Sequence, residues 1–375
     1  MASPPSPLTV SRLNDGEFQQ LKNEWNALLS RSRSNNVFLR WEWISSWWEV
    51  FARQRTLFIL AVRQEGRLVG IAPFYIEPAA GLTARHMRFC SDDRAPDYMD
   101  VIIEPGLEKP VMDAIARCLQ QHADKWDILF LDSMLCDAVI PTQLSSLEGL
   151  AYIVQEAAHC PYIPIEGPFE EHIQQRHDLL KLSLPKKHKK FFAKDGVRLV
   201  RVQDRAALPD GLRDLFKLHK MRSDNKGRQT NFASADVERF HGKLAASFLD
   251  QGILDLSLIY DGETPVSAHY GFRYANKIYY YAGGFNLEYK NYSVGSLSIY
   301  LAIQTAFAEK MAEYDFLKGE ESYKSLWSSH KHRQLTMKIY SPTWRGQLWR
   351  AARRLADGLK AVRNTLAAWK SPSSP

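Results

Sequence analysis

The chain has 375 residues, of which 45% are hydrophobic and 24% charged, and these values exclude a disordered polypeptide, a collagen-like fibre and a disulfide scaffold. Its length predicts two domains of ordinary size. The formal net charge is +7, but residues 341–375 contain seven cations and one anion and therefore account for +6 of it. The remaining body is close to neutral, so the overall charge says little about a substrate.

The cysteines are widely spaced and have no paired histidines nearby, which favours reduced thiols over disulfides or a zinc site. They are Cys90, Cys118, Cys136 and Cys160. The first residues lack the basic and apolar segments of a signal peptide, and no apolar run reaches the roughly 18–20 residues of a membrane span. We therefore expect a cytoplasmic protein, with peripheral contact at the inner membrane face as an additional option.

The first half mixes helical and strand patterns. Apolar spacing predicts helices over 17–29, 41–51 and 111–123, a hairpin over 57–76, and strands over 97–103 and 126–131.

The second half repeats this order. The pattern predicts helices over 211–221, 236–249, 293–311 and 321–327, a three-stranded meander over 254–285, and strands over 314–319 and 334–340. The hairpin turn at 65–66 corresponds to that at 261–262, and the strand start at 126–129 corresponds to 314–317. These matches indicate a weak internal repeat. The predicted class is α/β (α+β), with mainly antiparallel mixed sheets.

Residues 181–194 join the two halves and contain six lysines and no acid. A charge run of this kind is typical of a solvated helix face or a linker. The alternative is a clamp for phosphate groups, because lysine presents a compact charge to them. The sequence leaves both interpretations open.

Several strings carry a family resemblance. They are LHKMR at 218–222, FH at 240–241, YYYAGGFN at 279–286, YSVGSL at 292–297 and DFLKGEESYKSLW at 315–327, with FLRWEW at 38–43 and DYMDV at 97–101 in the first half. They resemble the GNAT acyltransferase superfamily. Within it, they are similar to the bacterial CelD-like (BioF2-like) group associated with cellulose and exopolysaccharide biosynthesis, which is related to the FemAB transferases.

The resemblance extends over roughly residues 8–340 and implies tandem GNAT-like domains. The first would occupy 8–165, the acyltransferase domain 166–340, and a basic amphipathic helix 341–375. It also implies acetyl-CoA or another acyl-CoA as co-substrate, no metal, and an acceptor related to the cell envelope or to exopolysaccharide.

The resemblance places the donor at the start of the helix predicted over 293–311. The residues concerned are Ser293, Val294, Gly295, Ser296 and Leu297. This stretch has one glycine where the family's donor loop has two, and Val294 stands where the family usually has proline. Ser293 is expected to cap the helix, whose first-turn N–H groups favour an anion.

Acyl transfer needs a base, an oxyanion stabiliser and an acid for the leaving group. Glu320, Tyr323 and Lys324 can share one face of the short helix predicted there. We expect Glu320 to act as base or substrate ligand, Tyr323 as proton donor and Lys324 as an anion contact. The structural alternative is a simple ion pair between Glu320 and Lys324.

Further candidates would bind the acceptor. They are Asp97, Tyr98, His219, Arg222, His241 and His269. A lone histidine on a helix is more often structural than catalytic, and an aspartate at a strand end is often a turn former.

The segment 344–370 has an apolar stripe with terminal tryptophans, and its cations fall mostly between the stripe positions. One interpretation is a helix lying in a membrane interface, and the other is a helix packed on the protein's own core or on a partner.

Two alternative functions remain open, and DNA is not an expected partner. One is a FemAB-like transferase that takes an aminoacyl group from tRNA, with the lysine segment contacting the RNA. The other is a non-catalytic accessory protein of a polysaccharide synthesis complex.

Overall fold

A computed structural model of the chain describes residues 6–78, 83–91, 96–225, 227, 230, 232–319 and 321–356. The strands are β1 Leu8–Arg12, β2 Thr56–Gln64, β3 Arg67–Ile76, β4 His86–Phe89, β5 Ile102–Ile103, β6 Ile128–Leu135, β7 Ala151–Pro164, β8 Val197–Arg201, β9 Leu254–Asp261, β10 Thr264–Tyr274, β11 Lys277–Phe285, β12 Glu313–Asp315 and β13 Lys331–Tyr340. The helices are α1 Asp15–Gln20, α2 Lys22–Arg31, α3 Trp41–Phe51, α4 Glu108–Gln121, α5 Val139–Thr142, α6 Phe169–Gln174, α7 Leu184–Phe192, α8 Leu208–Asn225, α9 Ala235–Asp250, α10 Val294–Ala308, α11 Lys324–Trp327 and α12 over 344–356.

The described strands form one sheet in the order β1-β2-β3-β4-β6-β13-β7-β12-β11-β10-β9-β8, with β5 paired to β3. Most neighbours are antiparallel, while the pairs β4–β6 and β11–β12 are parallel. The predicted α/β class with mainly antiparallel mixed sheets is confirmed. The two parallel pairs occupy corresponding places in the two halves, as the internal repeat predicts.

The middle of the sheet joins the two halves. Strand β13 pairs with β6 on one side and with β7 on the other, although more than 160 residues separate it from both. The last residues of β7, Tyr162–Pro164, then pair with β12. A strand from late in the sequence therefore completes the sheet of the first half.

Aromatic packing adds to this connection. Trp43 of α3 is fully buried and meets Phe240, Phe272 and Tyr281 of the second half edge to face, at centroid distances of 5.5–5.8 Å. Such pairs stabilise a core beyond their buried area. Trp43 thus lies between the two halves, whereas Trp41 and Trp47 of the same helix pack on Phe18 and Tyr75 of the first half.

Some elements differ from the sequence prediction. The helix predicted over 17–29 is interrupted at Leu21, whose N–H bonds to the Phe18 carbonyl in a tighter turn. The strand predicted over 97–103 is reduced to Ile102–Ile103, because Asp100 instead accepts hydrogen bonds from the Ser34 hydroxyl and the Val139 N–H. The helix predicted over 321–327 begins only at Lys324.

The helix predicted within 341–375 is present as α12 over 344–356, and residues 357–375 lie outside the described residues. No helix in the described part of the chain is both long enough and apolar enough to cross a membrane.

Candidate active site

The sheet opens beside β11. Strands β11 and β12 pair only between Lys277–Tyr279 and Glu313–Asp315, yet β11 continues to Phe285. After Asp315 the chain turns away from β11, with Leu317 in the left-handed region at φ 57°. Among the described strands, the backbone of β11 beyond Tyr279 therefore has no partner on this side, and the divergence leaves a wedge-shaped gap.

A bulge in β11 lies in the same region. Opposite β10 the register runs from Tyr280 directly to Ala282, so Tyr281 is the extra residue. A bulge of this kind bends a strand and redirects its side chains. Here it allows both Tyr280 and Tyr281 to line cavities on the open side of the strand.

Gly284 brings α8 onto β11. A Cβ at this position would overlap the backbone of Leu218 and His219. This close approach places the next turn of α8 over the wedge, where the Arg222 guanidinium donates to the Gly283 carbonyl at 2.8 Å. The arginine of the LHKMR string thus reaches the site through a glycine on the neighbouring strand.

A first cavity of about 340 Å³, the helix-start cavity, lies between β11 and the beginning of α10. Its lining includes Lys290 and the predicted donor residues Ser293, Val294, Gly295 and Ser296, whereas Leu297 is fully buried in the core. The first-turn N–H groups precede the first helical hydrogen bond, from the Leu297 N–H to the Ser293 carbonyl. Since α10 has no acid in its first turn, this end of the helix favours an anion.

The serine and the glycine at this helix start have roles that the sequence did not indicate. Ser293 is in the left-handed region at φ 55° and makes no side-chain cap, contrary to the expectation from sequence. Its hydroxyl instead accepts a hydrogen bond from the Lys187 amine at 2.7 Å. A Cβ on Gly295 would lie 2.8 Å from the Phe285 ring, so this glycine allows α10 to pack closely on β11.

Helix α7 brings the lysine-rich segment to the same place. Lys187 contacts Ser293, while Lys186, Lys189 and Lys190 have no acidic partner among the residues that the structure describes. Lys187, through Ser293, and Lys290, which lines the cavity, therefore bring positive charge to the helix-start cavity.

A second cavity of about 300 Å³, the seam cavity, is lined by both halves of the chain. The first half contributes Pro96, Asp97, Asp132 and Ser133, and the second half contributes His219, Lys318, Glu321 and Lys324 among others. Asp97 is buried and accepts from the Gln334 amide at 2.7 Å and from the Lys318 N–H at 3.2 Å. Burial raises the pKa of this carboxyl group.

The two cavities share a wall made of Arg222, Tyr280, Gly283 and Tyr323. The Arg222 guanidinium carbon lies 5.6 Å from the centre of the Tyr323 ring. Burial, and then the neighbouring Tyr280 hydroxyl, hold the pKa of Tyr323 well above its usual range. Tyr323 therefore keeps its proton at neutral pH, at the point where the two cavities meet.

Lys324 is buried, and its amine makes three polar contacts with nearby residues. Its amine donates to the carbonyls of Leu317 and Lys318 at 3.3 and 3.0 Å and pairs with Glu321 at 3.0 Å. These contacts use the three donors of an ammonium group, so Lys324 holds the loop between β12 and α11 in place. Glu320, which the sequence grouped with Tyr323 and Lys324, lies outside the described residues.

The structure separates the three candidate histidines. His219 lines the seam cavity, and its Nδ1 is 2.7 Å from the Thr230 hydroxyl. Burial, and then Arg222, lower its pKa to about 4, so the ring is neutral at pH 7.

His241 and His269 are fully enclosed among aromatic side chains and line neither cavity. His241 lies 3.1 Å from the Tyr270 hydroxyl, and His269 lies 3.1 Å from the Tyr314 hydroxyl. Both rings are therefore part of the core, although the Nδ1 of His269 is buried without a hydrogen-bond partner among the described residues.

Tyr98 does not line the seam cavity, although Asp97 does. It lies on the other side of the loop, lining a smaller cavity of about 140 Å³ near Tyr279 and His332. Its φ of 57° is unusual for a bulky residue and turns it away from Asp97.

A buried acidic group lies next to this smaller cavity. In the described residues, Glu313, Asp315 and His332 place one ligand-type atom each within 4.8 Å of one another. Glu313 accepts from Lys277 and contacts His332 at 3.0 Å. Burial, and then Glu313, raise the pKa of Asp315 to about 7.

Comparison with known proteins agrees with this geometry. Residues 181–325 match the family model described as an acetyltransferase (GNAT) domain. The matched segment contains α7, the helix-start cavity and Tyr323, and covers less than half of the chain. No curated protein matches the sequence significantly.

Solved structures show the fold over nearly the whole chain. The crystal structure of FemX has a TM-score of 0.62 at 13% identity and covers 92% of this chain and 99% of its own. A conserved protein of unknown function from Bacteroides thetaiotaomicron has a TM-score of 0.56 at 9% identity, covering 89% and 100%. The C-terminal domain of a lysylphosphatidylglycerol synthetase from Agrobacterium fabrum has a TM-score of 0.54 at 7% identity, covering 91% and 96%. At these identities the likeness concerns the fold alone.

The sequence did not single out three residues of the site. They are Lys187, Tyr280 and Gly284. The lysine run and the YYYAGGFN string contained them, but only the packing of α7 and α8 against β11 shows which member of each string reaches a cavity.

Proposed function

We propose that the chain is a GNAT-type acyltransferase that moves an acyl group from a phosphate-bearing donor to an amine or hydroxyl acceptor. The observation that carries this proposal is the wall shared by the helix-start cavity and the seam cavity. A donor with its phosphates at the start of α10 and an acceptor between the two halves would meet at Arg222 and Tyr323. The match of residues 181–325 to the GNAT acetyltransferase domain supports the same chemistry.

The donor that we propose is acetyl-CoA or a longer acyl-CoA. Its pyrophosphate would bind the first-turn N–H groups of α10 and the amines of Lys187 and Lys290. The acyl-bearing arm would extend along the unpaired edge of β11 toward Tyr323. Gly295 is compatible with this arrangement. Its missing side chain lets the start of α10 pack on the Phe285 ring of β11, which forms the opposite wall of the helix-start cavity.

The reaction would be a direct transfer without an acyl-enzyme. The acceptor nitrogen or oxygen attacks the thioester carbonyl carbon, the carbon–sulfur bond breaks, and the thiolate takes the Tyr323 proton. Arg222 would stabilise the negative charge that develops on the carbonyl oxygen. Among the described lining residues of either cavity there is no cysteine that could carry the acyl group.

The acceptor proton needs a base. Glu320 is the base proposed from the sequence. His219 is a second candidate, favoured by its place on the seam cavity and by its neutral ring. The carboxylates and cations of the seam cavity suit a polar acceptor, and we propose one related to the envelope or to exopolysaccharide.

A second function, transfer from an aminoacyl-tRNA, is favoured by one observation. The lysines of α7 continue along the surface beyond Lys187, and Lys186, Lys189 and Lys190 are free of acidic partners among the described residues. An RNA backbone would contact the whole row of lysines. CoA would need only Lys187, which lies at Ser293.

A thermal-shift titration of the full chain with CoA, acetyl-CoA and longer acyl-CoAs tests the donor. Lys187→Gln should raise the ligand concentration that gives half of the thermal shift about tenfold. Lys190→Gln, which removes the same charge farther along α7, should leave that concentration unchanged. If no CoA compound stabilises the protein and both variants weaken a salt-dependent binding of tRNA, the tRNA function replaces the CoA function. If neither donor binds, the transferase proposal fails and the alternative of a non-catalytic accessory protein is favoured.

A further inference from the structure

Helix α12 presents an apolar stripe to solvent. Trp344, Leu348 and Leu355 expose 73%, 59% and 70% of their surface. At about 100° per residue these positions, with Ala352 between them, fall within an arc of about 80° on one side of the helix. The stripe therefore does not pack on the protein's own core within the described residues.

The other side of the same helix is basic. Arg350, Arg353 and Arg354 lie outside the apolar arc, and residues 341–356 contain no acid. The sequence beyond α12 continues the composition, with Leu359, Val362, Leu366 and Trp369 among three further cations and one acid. Clustered cations, an apolar stripe and tryptophans are the composition of helices that lie in a membrane interface.

The start of α12 is fixed to the body of the protein. The Arg345 guanidinium pairs at 3.3 Å with Asp127, which is fully buried and also bound to Arg85. The Gln347 amide donates to the Ser341 carbonyl at 2.9 Å. These contacts fix the orientation of α12 relative to the body of the protein. A surface that binds the apolar stripe would therefore bind the whole protein and not only this helix.

We propose that α12 docks this protein on an anionic lipid bilayer, with Trp344, Leu348 and Leu355 in the interface and the arginines against the lipid phosphates. Charge decides between the occupants of the stripe. A second copy of α12 has the same excess of cations and, over residues 341–356, no acid to pair with them, whereas an anionic surface neutralises them at about 1 kcal/mol per basic residue. This proposal does not depend on the transferase reaction.

The test is flotation of the full chain with vesicles of phosphatidylcholine alone, or of equal parts phosphatidylcholine and phosphatidylglycerol. We expect flotation with the mixed vesicles only, and its loss in about 1 M salt, where the screening length is about 3 Å. Leu348→Glu should lower the partition coefficient at least about tenfold, and Arg354→Glu should lower it severalfold. The matched control is Leu199→Glu on β8, a leucine that is 39% exposed and distant in sequence, which should float as the unaltered chain does.

Melting curves would verify that each variant folds, as expected for exposed positions. The proposal fails if the unaltered chain does not float with the mixed vesicles, or if Leu348→Glu floats equally well. It also fails if the chain is a dimer in solution that Leu348→Glu converts to monomer without any effect of lipid, because the stripe would then bind a second copy.

Discussion

Asp127 and Asp315 occupy corresponding positions in the two halves, and both are fully buried, yet their carboxyl groups are in opposite states. Burial alone would raise the pKa of Asp127, but hydrogen bonds from Arg85 and then Arg345 lower it to about 2. Among the described residues no arginine pairs with Asp315, and burial followed by Glu313 raises its pKa to about 7. The first half thus pairs its buried carboxylate with arginines, whereas the buried carboxyl group of the second half accepts a hydrogen bond from the Leu317 N–H and has a raised pKa.

The helix that follows each meander shows the same contrast. In the first half, α4 begins with Glu108, whose carboxylate accepts the Gly106 N–H at 2.9 Å and supplies a negative charge to the helix start. In the second half, α10 has no such acid and faces Lys187 instead. The first half therefore supplies an acid of its own at this helix start, whereas the second half does not, and that helix start is where we propose that the donor binds.

The largest expected effect is at the glycines that let α8 and α4 approach the sheet. Gly284→Val would push α8 away from β11, because its side chain would overlap the backbone of Leu218 and His219. We expect loss of measurable transfer and of the thermal shift with the donor. The matched change in the first half is Gly70→Val, which would meet the Val111 side chain instead. Gly70→Val should lower the melting temperature, but the protein that remains folded should keep its donor affinity. An equal loss of donor affinity in both variants would contradict the role proposed for α8.

The next effect concerns the proton donor. Tyr323→Phe should lower kcat about 100-fold and leave donor affinity within a factor of about three, because the hydroxyl acts only when the thiolate leaves. Tyr280→Phe is the control, since it removes a hydroxyl from the same wall. Steady-state kinetics with saturating donor would measure both, and an unchanged kcat for Tyr323→Phe would remove this tyrosine from the mechanism.

A smaller effect should follow from making the second half resemble the first. Ser296→Glu places an acid in the first turn of α10, as Glu108 does in α4. We expect donor affinity to fall about tenfold, measured by titration calorimetry, while the melting temperature holds or rises slightly. Ser296→Ala should bind the donor nearly as the unaltered chain does. An undiminished affinity in Ser296→Glu would show that the donor's phosphates bind elsewhere.

The smallest effects are those on stability against pH. Asp127 has a folded pKa below its ordinary value of 3.8, so its stabilisation is present above about pH 4 and is lost as the pH falls toward 2. Asp127→Asn should therefore cost about 2 kcal/mol of unfolding free energy at pH 7 and progressively less in acid.

Asp315 should behave in the opposite way. Its folded pKa of about 7 means that the folded state retains a proton that the unfolded chain releases near pH 4, so this group lowers stability as the pH rises from about 4 to 7. Asp315→Asn, which imitates the protonated form, should melt higher than the unaltered chain at pH 8 and near it at pH 5. Melting curves of both variants across pH would check the contrast, and parallel curves for the two would contradict it.

The sequence predicted the elements whose periodicity is local. The meander over 254–285 and the helix over 293–311 are present almost as expected, and so is the α/β class. The 14-residue strand β7 was missed, because its pairing with β13 is set by residues far away along the chain.

Those site residues that belong to a short local string could be predicted from the sequence, and those placed by long-range packing could not. Gly295 and Tyr323 were found through short strings, and both line a cavity. His241 and His269 have the residue type of a site but lie in the core, and only their distance from the cavities distinguishes them from His219, which is buried too. The contact between Lys187 and Ser293, 106 positions apart, leaves no mark that a single sequence could show.

The insertion of β13 between β6 and β7 has a consequence for how the protein is made. Until residues 331–340 leave the ribosome, β6 and β7 lack the neighbour that joins them, and each keeps an open hydrogen-bonding edge. The first half, although it contains its own meander and core, cannot be completed in the order in which it is synthesised. We therefore expect nascent chains arrested before residue 331 to be much more sensitive to protease in the segment 128–164 than chains arrested well after residue 340.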